Sequence, residues 1–237
     1  MAPVPKTGGV DRAPVSWHNR EKGENMDPLA LFEARKSIRS FDRALPARED
    51  LETMVNAARL APTGKNKQNW HIVYTENRDL MEKAARLISE KNERLREGMT
   101  DENKKEALKR MAPFTLFFRE APSLVFFFHS EYSVTGHEAL RQAGLEEEAA
   151  DLLEASPGIQ GAAAAMENFL LCAAFLGYGT CWMTAPLYAA RELESLVGLK
   201  RDGFRLMAIT PLGKMVSHAD SPRPVRKPLV EMLTVIP

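Results

Sequence analysis

The stretch that most limits what this chain can fold into is residues 157–176. From Ile159 through Leu176 apolar side chains dominate, and at a 3.6-residue period they leave no broad polar face. A helix that is apolar nearly all round must be buried, either in a protein core or in a membrane. At about 1.5 Å per residue it is about 30 Å long, enough to cross a bilayer. Glu167 and Asn168 stand at its middle, where a charge in lipid is costly. With no second span in the chain, the core of a soluble protein is the better reading. A globule of 237 residues rarely encloses such a helix on every side, so part of it is expected at a subunit interface.

The remaining pattern is that of a mixed α and β chain. A helix is expected over 28–35, with Asp27 as its cap, Pro28 at its first position, and Leu29, Leu31 and Phe32 joining Ile38 and Phe41 on an apolar side. A second runs over 48–60, with Leu51, Met54, Val55, Ala58 and Leu60 as its core face. Residues 70–74 read as a strand. The charged stretch 77–110 reads as two solvated helices broken at Gly98, the second starting at Thr100-Asp101. Residues 123–129 are continuously apolar and of strand length, which suits a strand buried on both faces. Residues 132–153 are more polar, include Glu146-Glu147-Glu148, and look like an insertion or lid rather than core. A helix over 188–197 ends at Gly198, a central strand covers 204–210 and leads to a turn at Gly213, and 229–236 is a candidate final strand. Residues 27–237 form one domain. The Pro/Gly-rich segment 1–26 reads as a tail. Met26 as a natural start and an N-terminal arm packed on a partner subunit both remain open.

Chemistry enters through two short basic runs, Arg35-Lys36-Ser37-Ile38-Arg39 near the front and Arg223-Pro224-Val225-Arg226-Lys227-Pro228 near the back. Guanidinium forks beside small hydroxyls suit a phosphate. The chain carries 32 basic and 32 acidic residues, so local cation clusters on a neutral protein favour one small anionic ligand over a nucleic acid. Either run alone is equally consistent with surface decoration. Between them lie two further loops. Ala61-Pro62-Thr63-Gly64-Lys65-Asn66-Lys67-Gln68-Asn69 offers hydroxyl, amide and backbone groups for the edge of a planar heterocycle. Gly177-Tyr178-Gly179-Thr180-Cys181-Trp182-Met183-Thr184 reads as a turn into a strand, with open backbone N–H groups beside flat or soft side chains. Taken singly, each loop reads as an ordinary turn. The two cysteines, Cys172 and Cys181, match no metal spacing and no disulfide framework, which points to a reducing cytoplasm. His71, His129 and His137 read as structural. No triad spacing and no Gly-rich dinucleotide fingerprint is present.

Taken together and in this order, RKSIRSF, APTGKNKQNW, the Asn-Phe-Leu-Leu helix running into LGYGTCWMT, the Leu212-Gly213-Lys214 turn and the RKPL ending resemble the nitroreductase family of FMN-dependent oxidoreductases. The match covers about residues 28–75 and 157–230. The resemblance implies an α+β fold with a mostly antiparallel sheet flanked by helices. It also implies a homodimer with FMN at the subunit boundary and a C-terminal extension exchanged between partners.

Residue by residue, Arg35, Lys36 and Ser37 match the family's first FMN-contacting run. Arg39 matches the cation near the pyrimidine end of the flavin, where reduction places negative charge. Pro62, Thr63, Gly64 and Asn66 match the loop laid against the flavin by the other subunit, with Gln68 and Trp70 as its anchors. Trp182, Met183 and Thr184 match the segment whose backbone approaches the ring and its N5. Arg226 and Lys227 match the terminal phosphate-binding basics. The sequence departs from the family in three places. Asn69 replaces the proline of many relatives, which is expected to loosen the loop. Thr184 replaces an acid of some relatives, and a proline replaces an additional lysine in the C-terminal run. Nothing in the middle stretch ties to dehalogenation, and nothing assigns flavin cleavage.

The implied activity is ping-pong hydride transfer from NAD(P)H through flavin N5 to an electron-poor acceptor such as a nitroaromatic, quinone or enone. No metal and no dedicated acid or base residue is called for. The alternatives are an FMN-holding protein that stores flavin or senses redox state without turnover, and a scaffold that has lost the flavin.

Overall fold

A computed structural model of the chain describes residues 29–216 and 225–236. The expected tail at 1–26, the proposed cap Asp27 with Pro28, and Arg223-Pro224 of the second basic run lie outside the described residues.

Strands β1 (Trp70–Thr75), β2 (Ser123–Ser130), β3 (Tyr178–Thr180) and β4 (Phe204–Lys214) form an antiparallel sheet in the order β1-β2-β4-β3. β2 lies inside this order and is fully buried from Ser123 to Phe128. Its side chains alternate between two apolar layers, as the two-residue period of a strand requires. Val125 and Phe127 join one layer with Met207, Ala208 and Leu212, under helices α2 (Arg48–Arg59) and α7 (Pro157–Phe175). Leu124, Phe126 and Phe128 join the other with Leu206 and Ile209, under helices α3 (Arg78–Glu97) and α8 (Ala190–Val197). The sheet therefore carries helices on both faces, and the continuous apolar run of β2 is explained by that double cover.

The helices have local causes. α2 begins with Glu49 and Asp50 and ends with Arg59, which complements the helix dipole at both ends. The Asn77 side chain accepts a hydrogen bond from the Leu80 N–H to cap α3. The Asp101 carboxylate accepts from Asn103 and Lys104 to cap α4 (Glu102–Leu116). The break between α3 and α4 falls at Gly98, as the charge pattern suggested. α3 also buries Met81, Ala84, Ala85 and Ile88, so its charges cover only one side. The polar stretch after β2 folds as two short helices packed on each other, α5 (His137–Gln142) and α6 (Glu146–Glu154).

α7 buries Gly158, Gly161, Ala162, Ala165, Met166, Phe169, Leu170 and Ala173, a helical stripe laid on the sheet. Phe169 meets Phe127 edge to face, with ring centroids 5.4 Å apart. Toward the two ends of the helix, Ile159 is 41% and Phe175 37% exposed.

Several expectations are corrected. The first helix, α1 (Ala30–Ala34), is short and buries nothing; Phe32 and Leu29 are exposed, and only Ile38 and Phe41 beyond it reach the core. Val55 on α2 and Leu60 just beyond its end are exposed, because the stripe that packs toward α7 is no wider than Leu51, Met54 and Ala58. Leu212-Gly213-Lys214 is not a turn. β4 runs through it, and Gly213 pairs with Gly179. Residues 229–236 form no strand: Leu229–Glu231 is a single 3-10 turn, and the segment is exposed.

Candidate functional site

The basic run after α1 becomes part of the sheet's edge. Arg35 leaves the helix in an extended conformation at φ −70° and ψ 118°. Ser37 then bridges Thr180 in the parallel sense, and the Ile38 N–H donates to the Thr180 carbonyl at 2.8 Å. Ile38 is buried and pins the run to the core. In extended chain the residues flanking Ile38 point the other way, which puts Arg35, Ser37 and Arg39 on one side. Their common neighbour is the buried Cys181. Burial pushes its thiol pKa up, while a hydrogen bond with Ser37 and the charges of Arg39 and Arg35 pull it down. The Arg39 guanidinium lies 5.8 Å from the Phe117 ring centroid, with Nη1 3.5 Å from the Ser37 carbonyl. Arg35 Nε faces Glu167 Oε1 on α7 at 3.5 Å.

Trp182, Met183 and Thr184 continue from Cys181. Met183 is buried, and both its N–H and its carbonyl are taken by Ile209, at 3.0 and 3.1 Å. The main-chain donors this segment has left for a ligand are therefore the N–H groups of Trp182 and Thr184, which have no partner among the described residues. Thr184 is exposed and Trp182 half-buried. Here the structure brings together Arg35, Ser37, Arg39 and Trp182–Thr184, from distant parts of the sequence, across the Ser37–Thr180 bridge. Lys36, half-buried, lies within the same run.

The loop of Pro62, Thr63, Gly64 and Asn66 attaches elsewhere, at the N-terminal half of α7. Thr63 lies over Gly161, and a Cβ at Gly64 would overlap the Tyr132 hydroxyl. Lys65, Asn66 and Gln68 hold φ of 54°, 51° and 47°, a left-handed conformation that non-glycine residues keep only when the surroundings enforce it. The enforcement is Asn69. Its buried side-chain amide donates to the Ser130 carbonyl at 3.0 Å and to the Gly158 carbonyl at 3.2 Å, and its own carbonyl accepts from Ser130. The expected loosening is thus reversed, since Asn69 ties the loop to β2 and α7 where a proline would have no amide to give. Within the loop, the Gln68 side-chain amide donates to Asn66 Oδ1 at 3.2 Å.

Arg226 and Lys227 stand on an exposed segment. Lys227 is paired with Glu231 at 3.8 Å, and Val225, Val230 and Ile236 are 98%, 83% and 87% exposed. Among the described residues the three groups have different anchors: the Ser37–Thr180 bridge, the N-terminal half of α7, and the exposed C-terminal segment. Sequence reasoning missed Glu167 as the partner of Arg35 and Tyr132 as the cover of Gly64. A lone carboxylate on an apolar helix was the available signal for the first; the second is a contact at long separation with no local trace.

The family model for the nitroreductase family matches residues 32–214. A BluB-like flavoprotein from Clostridium difficile 630 is 35% identical, superposes with a TM-score of 0.83, and aligns over 90% of this chain and 100% of its own. An iodotyrosine deiodinase from Thermotoga neapolitana is 27% identical over 82% of this chain and 89% of its own length. A nitroreductase with bound FMN from Bacteroides fragilis shares the fold at a TM-score of 0.62 and 19% identity, covering 88% of this chain and 98% of its own. With most of its length matched by that model, and with the antiparallel sheet and its two helical faces in place, the chain belongs to the nitroreductase family.

Proposed function

We propose that the protein is an FMN-dependent oxidoreductase that works as a homodimer, taking reducing equivalents from NAD(P)H and passing them to a small electron-poor acceptor. The observation that carries this reading is the convergence of Arg35, Ser37 and Arg39 beside Cys181 and the Trp182–Thr184 backbone. That donor set fits a flavin mononucleotide: a guanidinium and a hydroxyl for a phosphate, a second guanidinium for the electron-rich ring edge, and open main-chain N–H groups for ring nitrogens. FMN, when bound, supplies the hydride-transfer chemistry.

The chain's own residues bind and orient. Arg35 and Ser37 hold the phosphate and Arg39 neutralises charge at the pyrimidine edge. The N–H groups of Trp182 and Thr184 fix the ring, and Ile38 and Met183 keep these groups rigid through the core. Pro62, Thr63, Gly64 and Asn66 come from the second subunit. Arg226 and Lys227 come on the exposed C-terminal segment, exchanged between partners, to complete the phosphate site. The helical pair α5–α6 is the lid of that cleft.

The test is anaerobic stopped-flow mixing of the flavin-loaded protein with NADH and with NADPH. Loss of the oxidised-flavin absorbance with either one supports the reading. Absence of bleaching with both moves the protein to a flavin-storing or redox-sensing role. The reduced protein is then offered nitroaromatics, quinones, enones and 3-iodo-tyrosine. The last is included because a relative matching most of this chain is an iodotyrosine deiodinase.

A further inference from the structure

Glu167 sits midway along α7, on a helix whose other side chains are almost all apolar. Its Oε1 lies 3.5 Å from Arg35 Nε, with the two side chains 41% and 23% exposed. Burial raises the pKa of this carboxyl and Arg35 pulls it back down. The next residue, Asn168, turns away and donates its amide to the Ala57 carbonyl on α2. A carboxylate kept in such surroundings is costly unless a cation answers it. The contact is made through Nε at 3.5 Å, longer than the charge-assisted hydrogen bonds by which a guanidinium fork grips an oxyanion.

We propose that Glu167 is the resident counter-ion of Arg35 and that it sets the affinity of the site for a phosphate: the Glu167 carboxylate and the flavin's phosphate compete for one guanidinium. This rests on the FMN reading above. A fixed negative charge beside the phosphate position also repels the incoming dianion, so both effects have the same sign. Glu167 thereby weakens the hold on FMN, selectively through its phosphate. Riboflavin, which presents the same ring without the phosphate, does not sense it.

The test is a fluorescence-quenching titration of the full-length chain, freed of flavin, with FMN and with riboflavin at fixed pH and salt. Wild type is compared with E167Q, E167A, R35A and R35A/E167Q. The E167A substitution puts the best helix former into an alanine-rich helix and guards against a folding failure of E167Q. Removing the charge is expected to tighten FMN binding on the order of two- to fivefold, the range of a partly exposed ion pair, with riboflavin unchanged. R35A weakens FMN, and adding E167Q to R35A gains less than E167Q gains in the wild type, because the competition for Arg35 is gone and only the direct repulsion of the phosphate is left to relieve. Should R35A weaken FMN while E167Q and E167A leave it unchanged, or shift FMN and riboflavin alike, the counter-ion role is overturned and the FMN reading stands. Unchanged FMN binding in R35A removes the phosphate reading itself, and this inference with it.

Discussion

Arg39 shows how one side chain can be held ready without being buried. Its guanidinium rests on the face of Phe117 and against the Ser37 carbonyl, so its charge stays beside the Ser37–Cys181 seam although the residue is exposed. Replacing Arg39 with alanine removes that charge and leaves the core intact. The FMN dissociation constant is expected to rise about tenfold, the scale of one charge-assisted contact, and flavin reduction is expected to slow. Titration and stopped-flow reduction read both effects, and an unchanged affinity and rate would remove Arg39 from the site. Asn69 acts on the same scale but through stability. Asn69→Ala deletes two hydrogen bonds of a buried amide, to the Ser130 and Gly158 carbonyls, for an expected loss of about 1–3 kcal/mol in chemical denaturation. A neutral result would mean that the left-handed loop is held by something else. The sequence showed Asn69 only as a missing proline. Its two acceptors lie 61 and 89 residues away, beyond any local pattern.

At the scale of elements, the parts legible in the sequence were those whose pattern is set by local burial. α2, β1, β2, α7 and α8 lie within a residue or two of their expected bounds, because each shows an apolar period or run to the sheet. The parts that misled are those where glycine has a tertiary reason. Gly213 looks like a turn residue, yet it is mid-strand, and a Cβ there would stand 2.6 Å from the ring of Pro122. The glycine is required by close approach of a neighbouring chain segment. Gly213→Ala is therefore expected to destabilise the protein by about 1–3 kcal/mol through overpacking, read as a lowered thermal midpoint, even though alanine suits a strand's backbone no worse than glycine. An unchanged midpoint would show that Pro122 can move aside. The candidate strand at 229–236 failed for a different reason. Its apolar residues are real, but within one chain no sheet edge takes them, and they remain exposed.

For the molecule as a whole, what is missing from one chain is as orderly as what is present. The Arg35–Arg39 run with Trp182–Thr184, the Thr63 loop on α7, and the Arg226-Lys227 segment each have a different anchor. α7 keeps Ile159 and Phe175 partly uncovered, and the C-terminal segment keeps Val225, Val230 and Ile236 exposed, a pattern that a second copy would bury. Neutral overall charge places no electrostatic barrier in the way of such an association. The proposed assembly gathers the three groups into one site and makes flavin binding and dimerisation a single linked equilibrium. Sedimentation of the full chain with FMN, followed at the flavin absorbance, tests this most directly. Bound flavin is expected to sediment at twice the mass of the chain, with one FMN per subunit. Flavin bound stoichiometrically to a species of single-chain mass would contradict it.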